Sequence, residues 1–461
     1  MEQILIKHAQ AIVTCDEENH VYHNCDLLVQ GPEILQIGQG LKGADGCRVI
    51  DGTGKIVYPG LVNTHHHLFQ SFVRNLKSID CPNMTLMEWL DKIYQVFDHL
   101  DDEAVYYASL TAMADLIKHG CTTAFDLQYC YTPYTGTAPI DRQMEAAAAL
   151  GIRLHAGRGT NTLPKSKGST IPDGMCETTE AFLQDSLRLI RTYHDPGKFS
   201  MRQIVLAPCQ PINCYEETFV EALKLARSEG VRLHTHLGEG ETEVMVARTG
   251  MRTLDWCEKI GFVGEDAWFA HCWDLNDQEF QRMARLGCGI AHCPEAAMLG
   301  GFPILPLKRL KEWGVTVGLG CDGSSTNDGS NLLSCIRIGY LLQAHHSKAR
   351  GGCVAAYDLL KAATANGARL LGRSDIGSLE PGKAADLFLL DISGLEMVGT
   401  SHDPQNLIGR VGATDHVWMT MINGRVVYEN GRLAGVDETA LAEQGNRLCR
   451  ALLERIPGVL N

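Results

Sequence analysis

Several things are scarce or missing in this sequence, and each absence excludes something. There is no run of about 18 apolar residues, so no segment reads as a membrane-spanning helix. Positive charge is outnumbered: 41 Lys and Arg stand against 55 Asp and Glu, a net charge of −14. That balance argues against an electrostatic hold on nucleic acid. The 17 cysteines form no Cys-x-x-Cys pair and no dense disulfide pattern. They are scattered through apolar segments such as "GCGIAHC" and "VGLGCDG", and are expected to be buried free thiols in a reducing compartment. The opening "MEQILIKHAQAIVTCDEENH" lacks a basic stretch followed by an apolar one, so no secretory signal is expected. A soluble, cytoplasmic protein is the expectation.

What remains is globular. The chain has 461 residues, 45% of them hydrophobic and 21% charged, with 47 glycines for turns. This length accommodates one large barrel plus an accessory module. Residues 1–57 read as short strands, "ILIKHAQAIVT", "CDLLVQGPEILQIG" and "CRVIDGTGKIVYPG", each ending at turn residues. Residues 375–461 return to this style in "ADLFLLDIS" and "VWMTMINGRVVYENGRL", where Asn423-Gly424 signals a hairpin, and close on a terminal helix.

Residues 58–374 alternate buried-looking strands with amphipathic helices such as "ETFVEALKLARSEG" and "NDQEFQRMARLG". Eight strand candidates follow in order: "GLVNTHHH", "TTAFDLQ", "IRLHAG", "QIVLAP", "VRLHTHLGE", "AWFAHC", "CGIAHCP" and "VTVGLGCDG". Eight such units favour an α/β fold, a (β/α)8 TIM barrel, over an open sheet. The two β-rich ends are expected to join in one small β-sandwich beside it, the alternative being two independent β-domains.

In a parallel barrel, polar side chains at the C-terminal strand ends share one pocket. The first strand candidate ends in His65 and His67, which are two apart and so face the same way, about 6–7 Å apart at Cα. His66 faces away and is the weaker candidate. The fifth carries His234 and His236, with Glu239 three residues beyond. The sixth ends at His271 and the eighth at Asp322. Any one of these could be a structural residue; together, three imidazoles and a carboxylate at strand ends offer a site to one divalent ion.

These segments carry a resemblance. "PGLVNTHHH", "HTHLGE", "AHC", "AHCPE" and "GCDGSSTND", flanked by "VIDGTGKIVYPG" and "GSLEPGKAADLFLLD", resemble the amidohydrolase superfamily in its mononuclear aminohydrolase branch. The likeness spans nearly the whole chain, in order. It implies that His65, His67, His236 and Asp322 bind one Zn²⁺ or Fe²⁺, that Glu239 and His271 handle protons with Asp322, and that His234 is structural. No lysine stands in "QIVLAPCQP", which fits one metal rather than two.

Within the family the resemblance narrows to enzymes that deaminate oxidised purines and pterins, notably the 8-oxoguanine deaminase group. The implied substrate is a small amino-substituted heterocycle, 8-oxoguanine first. Isoxanthopterin and hydroxytriazines (losing an amine or chloride) are the alternatives, and a catalytically dead barrel with an interaction role is a remote one. Gln70 would bind a heterocycle's amide edge, or else be a helix-start glutamine. Arg158 would pair with a ring oxygen, or else be a structural arginine. Trp89 would roof the pocket or sit in the core. Family habit implies a homodimer or larger assembly. The sequence departs from its relatives at Leu127, Ala296 and Ala297, where polar residues are expected, and Glu295 is a candidate new polar contact; His292 reads as structural.

Overall fold

Two sheets organise the computed structural model, which describes residues 2–327, 329–347, 352–456 and 458–459. The chain opens with strands β1 (Gln3–Val13), β2 (Val21–Gln30), β3 (Glu33–Gly38), β4 (Arg48–Asp51) and β5 (Lys55–Pro59). It then enters eight parallel strands: β6 (Leu61–Asn63), β7 (Cys121–Gln128), β8 (Arg153–Thr160), β9 (Arg202–Pro208), β10 (Arg232–Leu237), β11 (Ala267–His271), β12 (Gly289–His292) and β13 (Val317–Leu319). It returns to the first sheet in β14 (Leu387–Asp391), β15 (Met419–Ile422), β16 (Arg425–Glu429) and β17 (Arg432–Leu433).

The expected joining of the two chain ends is seen directly. β5 pairs antiparallel with β14, from Pro59 opposite Leu387 to Lys55 opposite Asp391, giving one nine-stranded sheet from both termini. Between β15 and β16, Asn423 and Gly424 both adopt positive φ, at 51° and 75°. That is the requirement of the two-residue hairpin turn whose twist matches its strands.

The parallel strands run in sequence order, and the ends of the row meet. Thr64 N–H donates to Leu319 O at 2.9 Å and Asp322 N–H to His65 O at 3.0 Å, which closes the barrel between β6 and β13. β7 and β8 are buried along their whole length, as strands must be with a filled interior on one face and helices on the other. The helices are set by local signals in the sequence. Asn276 and Glu279 form a reciprocal capping box at the start of Asp277–Leu286, and Thr85 and Glu88 another at Leu86–Phe97.

Beneath the mouth, the barrel is filled by Phe125, His234 and Trp268. The Phe125 ring meets Trp268 at 4.8 Å and His234 at 4.6 Å. All 17 cysteines carry free thiols, most of them buried. No helix among the described residues is long and apolar enough to cross a membrane.

Candidate metal centre and active site

The strands of the barrel bring His65, His67, His236, His271 and Asp322 to one point at its C-terminal mouth. His65 and His67 lie just beyond β6, and their rings meet edge-on at 4.8 Å. His236 is the penultimate residue of β10, and His271 ends β11. Asp322 follows β13 and reaches back, its Oδ1 3.5 Å from His65 Nε2 and 3.4 Å from His67 Nε2. His271 and Asp322 hold left-handed backbones, φ 73° and 63°, a conformation costing about 1–3 kcal/mol in a residue with a side chain. Both sit where a strand ends and a side chain must turn across the mouth. Opposite Asp322 the chain can pass only because residue 320 is glycine: a Cβ there would lie 2.8 Å from His65 O.

Hydrogen-bond partners assign the imidazole tautomers. His67 Nδ1–H donates to Leu127 O at 2.9 Å, and His236 Nδ1–H to Cys209 O at 2.7 Å. His234 Nδ1–H donates to Trp268 O at 2.9 Å, which leaves its Nε2 to accept from His65 Nδ1–H, also at 2.9 Å. Each of the three outer rings therefore turns a bare Nε2 lone pair inward. His67 Nε2 and His236 Nε2 face each other at 3.2 Å with no proton between them, and His65 Nε2 is buried without a partner. Lone pairs held this close repel unless a cation lies against all of them. Burial pulls His65 and His236 down to about 3, and His67 well below its ordinary value, so all three rings are neutral at pH 7, the form that can hold a metal ion. The donor set, three imidazoles and one carboxylate, suits a divalent ion such as zinc. The residues present fit the group.

His234 thus lies one layer deeper than the rings it was grouped with. It holds His65 in the ligating tautomer, the outer-shell part that metal-bound histidines require.

Beside this centre stands Glu239. Burial, with the charges of Asp322 and Glu241 added, pushes its carboxyl well above the usual range. Its Oε1 is 3.5 Å from His271 Nε2, and its Oε2 accepts from Gln210 Nε2 at 3.1 Å. Neither His271 nitrogen makes a hydrogen bond within the protein, and burial lowers its basicity well below the ordinary value. Gln210 escaped the reading of the sequence. Its signal was there, a polar residue two positions past β9 in "LAPCQP".

A pocket opens above these groups. Its floor is His67, His236, Glu239 and Asp322; its sides include Gln70, Tyr129 and Gln210; its walls are Leu86, Trp89, Leu90, Trp273 and Phe302. Trp89 does line the pocket, on the helix Leu86–Phe97. Gln70 lines it too, but its carbonyl is taken by the Ser325 hydroxyl and backbone N–H, and only its amide N–H groups remain, one of them 3.4 Å from Tyr129 Oη.

Two expectations are corrected. Arg158 does not reach the pocket. It is fully buried on β8, bonded by Nε to Asp185 at 2.7 Å and by Nη1 and Nη2 to Glu177 at 2.8 Å, with the Tyr131 ring 3.7 Å away. Two carboxylates consume the guanidinium, so it holds structure rather than substrate. Glu295 is likewise turned away, bonded to the Ser334 hydroxyl. Of the residues that depart from the family pattern, only Ala296 lines the pocket; Ala297 packs in the core, and Leu127 contributes its backbone carbonyl to His67. His292 is buried with neither ring nitrogen partnered.

Comparison with known proteins agrees with this geometry. The profile described as "Amidohydrolase family" matches residues 56–427. Hydroxydechloroatrazine ethylaminohydrolase of Pseudomonas sp. (strain ADP) is 47% identical over 96% of this chain and 94% of its own length. The 8-oxoguanine deaminase of Pseudomonas aeruginosa is 36% identical over 93% and 94%. Among solved structures, atrazine chlorohydrolase from Arthrobacter aurescens TC1, complexed with zinc, superposes with a TM-score of 0.91 at 31% identity, covering 97% of this chain and all of that one. The chain belongs to the amidohydrolase family.

Proposed function

We propose that this protein is a metal-dependent aminohydrolase that replaces an amino or alkylamino group on a nitrogen heterocycle by hydroxyl, with zinc as the ion. The observation that carries this reading is the convergence of three inward-facing bare imidazole nitrogens and Asp322, with the Glu239 carboxyl 3.5 Å from His271 beside them. A divalent ion held by His65, His67, His236 and Asp322 supplies Lewis acidity and a water acidified toward neutral pH.

The chain's own residues do the rest. Asp322 takes a proton from the attacking water. Glu239, steadied by Gln210, gives its proton to the ring nitrogen beside the attacked carbon, which makes that carbon electrophilic. His271, neutral and 3.5 Å from Glu239, orients the forming hydroxyl. The carbon–nitrogen bond then breaks as the proton held by Asp322 passes to the departing amine, and the ring nitrogen returns its proton to Glu239, which restores both carboxyl groups to their starting states. The balance is one water consumed, one ring hydroxyl formed and one amine or ammonia released.

Among substrates, the lining moves the hydroxytriazine reading ahead of 8-oxoguanine. With Arg158 withdrawn, no Lys or Arg among the described residues lines the pocket, and its walls are mainly apolar. This suits an uncharged, alkyl-bearing ring better than a purine edged with polar groups; the relative at 47% identity, an ethylaminohydrolase by name, supports the same order. The 8-oxoguanine reading is kept by the amide groups of Gln70 and Gln210 and by the relative at 36%. The test is to incubate zinc-loaded protein with hydroxydechloroatrazine, 8-oxoguanine, guanine and isoxanthopterin, and to quantify ethylamine and ammonia separately. Ethylamine from the first compound is the expected product. Release of neither amine from any compound would overturn the proposal.

A further inference from the structure

The reacting corner of the pocket has one wall that the chemistry above does not use. The His271 ring lies against the Trp273 ring at 4.3 Å, and Trp273 stacks on Phe302 at 4.4 Å and 16°. His271 is the neighbour of Glu239, so this aromatic pair extends outward from the proton donor itself. Leu86 completes the wall. A Cβ placed on Gly240, the residue after Glu239, would lie 3.6 Å from Leu86 Cδ2 and 3.9 Å from Phe302 Cε1. All three side chains line the pocket. Trp273 is nearly fully buried, and its indole N–H has no hydrogen-bond partner. Trp273 and Phe302 also line a second, open cleft, with Leu275, Asp277, Phe280 and Arg309. The stack is therefore a partition shared by the two clefts.

The leaving amine sits on the carbon beside the ring nitrogen that Glu239 protonates. With that ring nitrogen placed at Glu239, the leaving nitrogen projects its substituent toward these three residues. For bare ammonia the wall offers nothing, since departing ammonia is best served by hydrogen-bond acceptors. For an N-alkyl group it offers apolar contact worth roughly fourfold in affinity per methylene. We infer that Leu86, Trp273 and Phe302 form a leaving-group subsite for a short N-alkyl chain, and that the Trp273–Phe302 partition sets the largest chain accepted. This rests on the aminohydrolase reading and deepens it, by assigning the end of the substrate that the wall selects.

The test uses hydroxytriazines carrying –NH₂, –NHCH₃, –NHC₂H₅, –NHCH(CH₃)₂ or –NHC(CH₃)₃ at the hydrolysed position. Calorimetric titration into zinc-loaded Glu239→Gln protein measures affinity apart from turnover, and kcat/KM is measured in the otherwise unchanged protein. Affinity is expected to rise about fourfold per carbon up to ethyl or isopropyl and then fall. Phe302→Ala and Trp273→Ala should each lower the ethyl-to-amino ratio of kcat/KM about tenfold and admit the tert-butyl member, while Phe302→Leu keeps the ratio. Bound zinc and thermal midpoint identify a variant that has merely lost its fold; Phe302→Leu, which keeps the apolar contact, then carries the comparison with the unaltered chain. A flat affinity series, or Ala variants that weaken all members equally, would overturn the subsite. Ammonia released from the amino member with no amine from the others would sink the subsite and leave the aminohydrolase reading standing; release from no member at all would remove both.

Discussion

The floor and the walls of the pocket are built on opposite physical terms. The floor is polar, rigid and over-determined: each ligating imidazole is fixed by a second hydrogen bond to a backbone carbonyl or to His234, and the groups are held at the ends of parallel strands. The walls are apolar and come from the loops and the helix Leu86–Phe97 outside the strands, where contact is non-directional and side chains can be exchanged without leaving a polar group unpaired. Chemistry is thus anchored where displacement costs most, and selectivity sits where substitution costs least.

The comparison can be broken at several depths. The largest effect is expected in the floor. Glu239→Gln should keep its metal yet lose about 10²–10⁴ in turnover, because only a positioned proton is removed. His236→Ala should lose metal and turnover together, and metal analysis beside rate measurement tells the two apart. Near-normal turnover in the Glu239 variant would mean that the proton comes from elsewhere. One layer down, His234→Ala should weaken zinc about 10–100-fold while saturating zinc restores most of the rate. A competition assay with a chelator measures this; unchanged affinity would show His65 to be held without its relay.

Arg158 offers a smaller and differently placed effect. Arg158→Met should cost about 3–5 kcal/mol of stability in urea unfolding, since both of its ion pairs are broken, leaving Glu177 without its guanidinium and Asp185 with Arg188 alone, and KM should not move. A raised KM at unchanged stability would return Arg158 to the pocket. The mildest effect is on acid tolerance. Burial holds His292 at about 4 and His155 well below its ordinary value. Between those values and about 6.5 the unfolded chain binds more protons than the folded one, so stability falls as pH drops through that window. Thermal midpoints from pH 8 to pH 5 read it, and replacing His292 by Gln should flatten the slope.

How much was legible can be argued residue by residue. The eight barrel strands were visible because β–α alternation is a local property of hydrophobic spacing. His65, His67, His236, His271 and Asp322 were visible because strand ends converge in a barrel, so a polar residue closing an apolar run already has an address. Leu127 looked like a loss, because a side chain is what a sequence shows; its contribution is a carbonyl, which any residue supplies. Gln210 and Phe302 stand on loops whose paths no periodicity describes.

Arg158 marks the boundary. By itself the sequence determined the barrel, its two β-rich flanks, and which polar residue types stand at its mouth, because these follow from pattern and strand-end position. It also placed an arginine at the end of a strand. Only the tertiary structure decided which face of that strand the guanidinium occupies and that Glu177 and Asp185 already claim it. It alone decided that His234 serves His65 from below, and that aromatic rings from two separate loops meet beside Glu239. Partners such as these lie tens of residues or more apart in the chain, and no local pattern records which distant group arrives first to satisfy a buried charge.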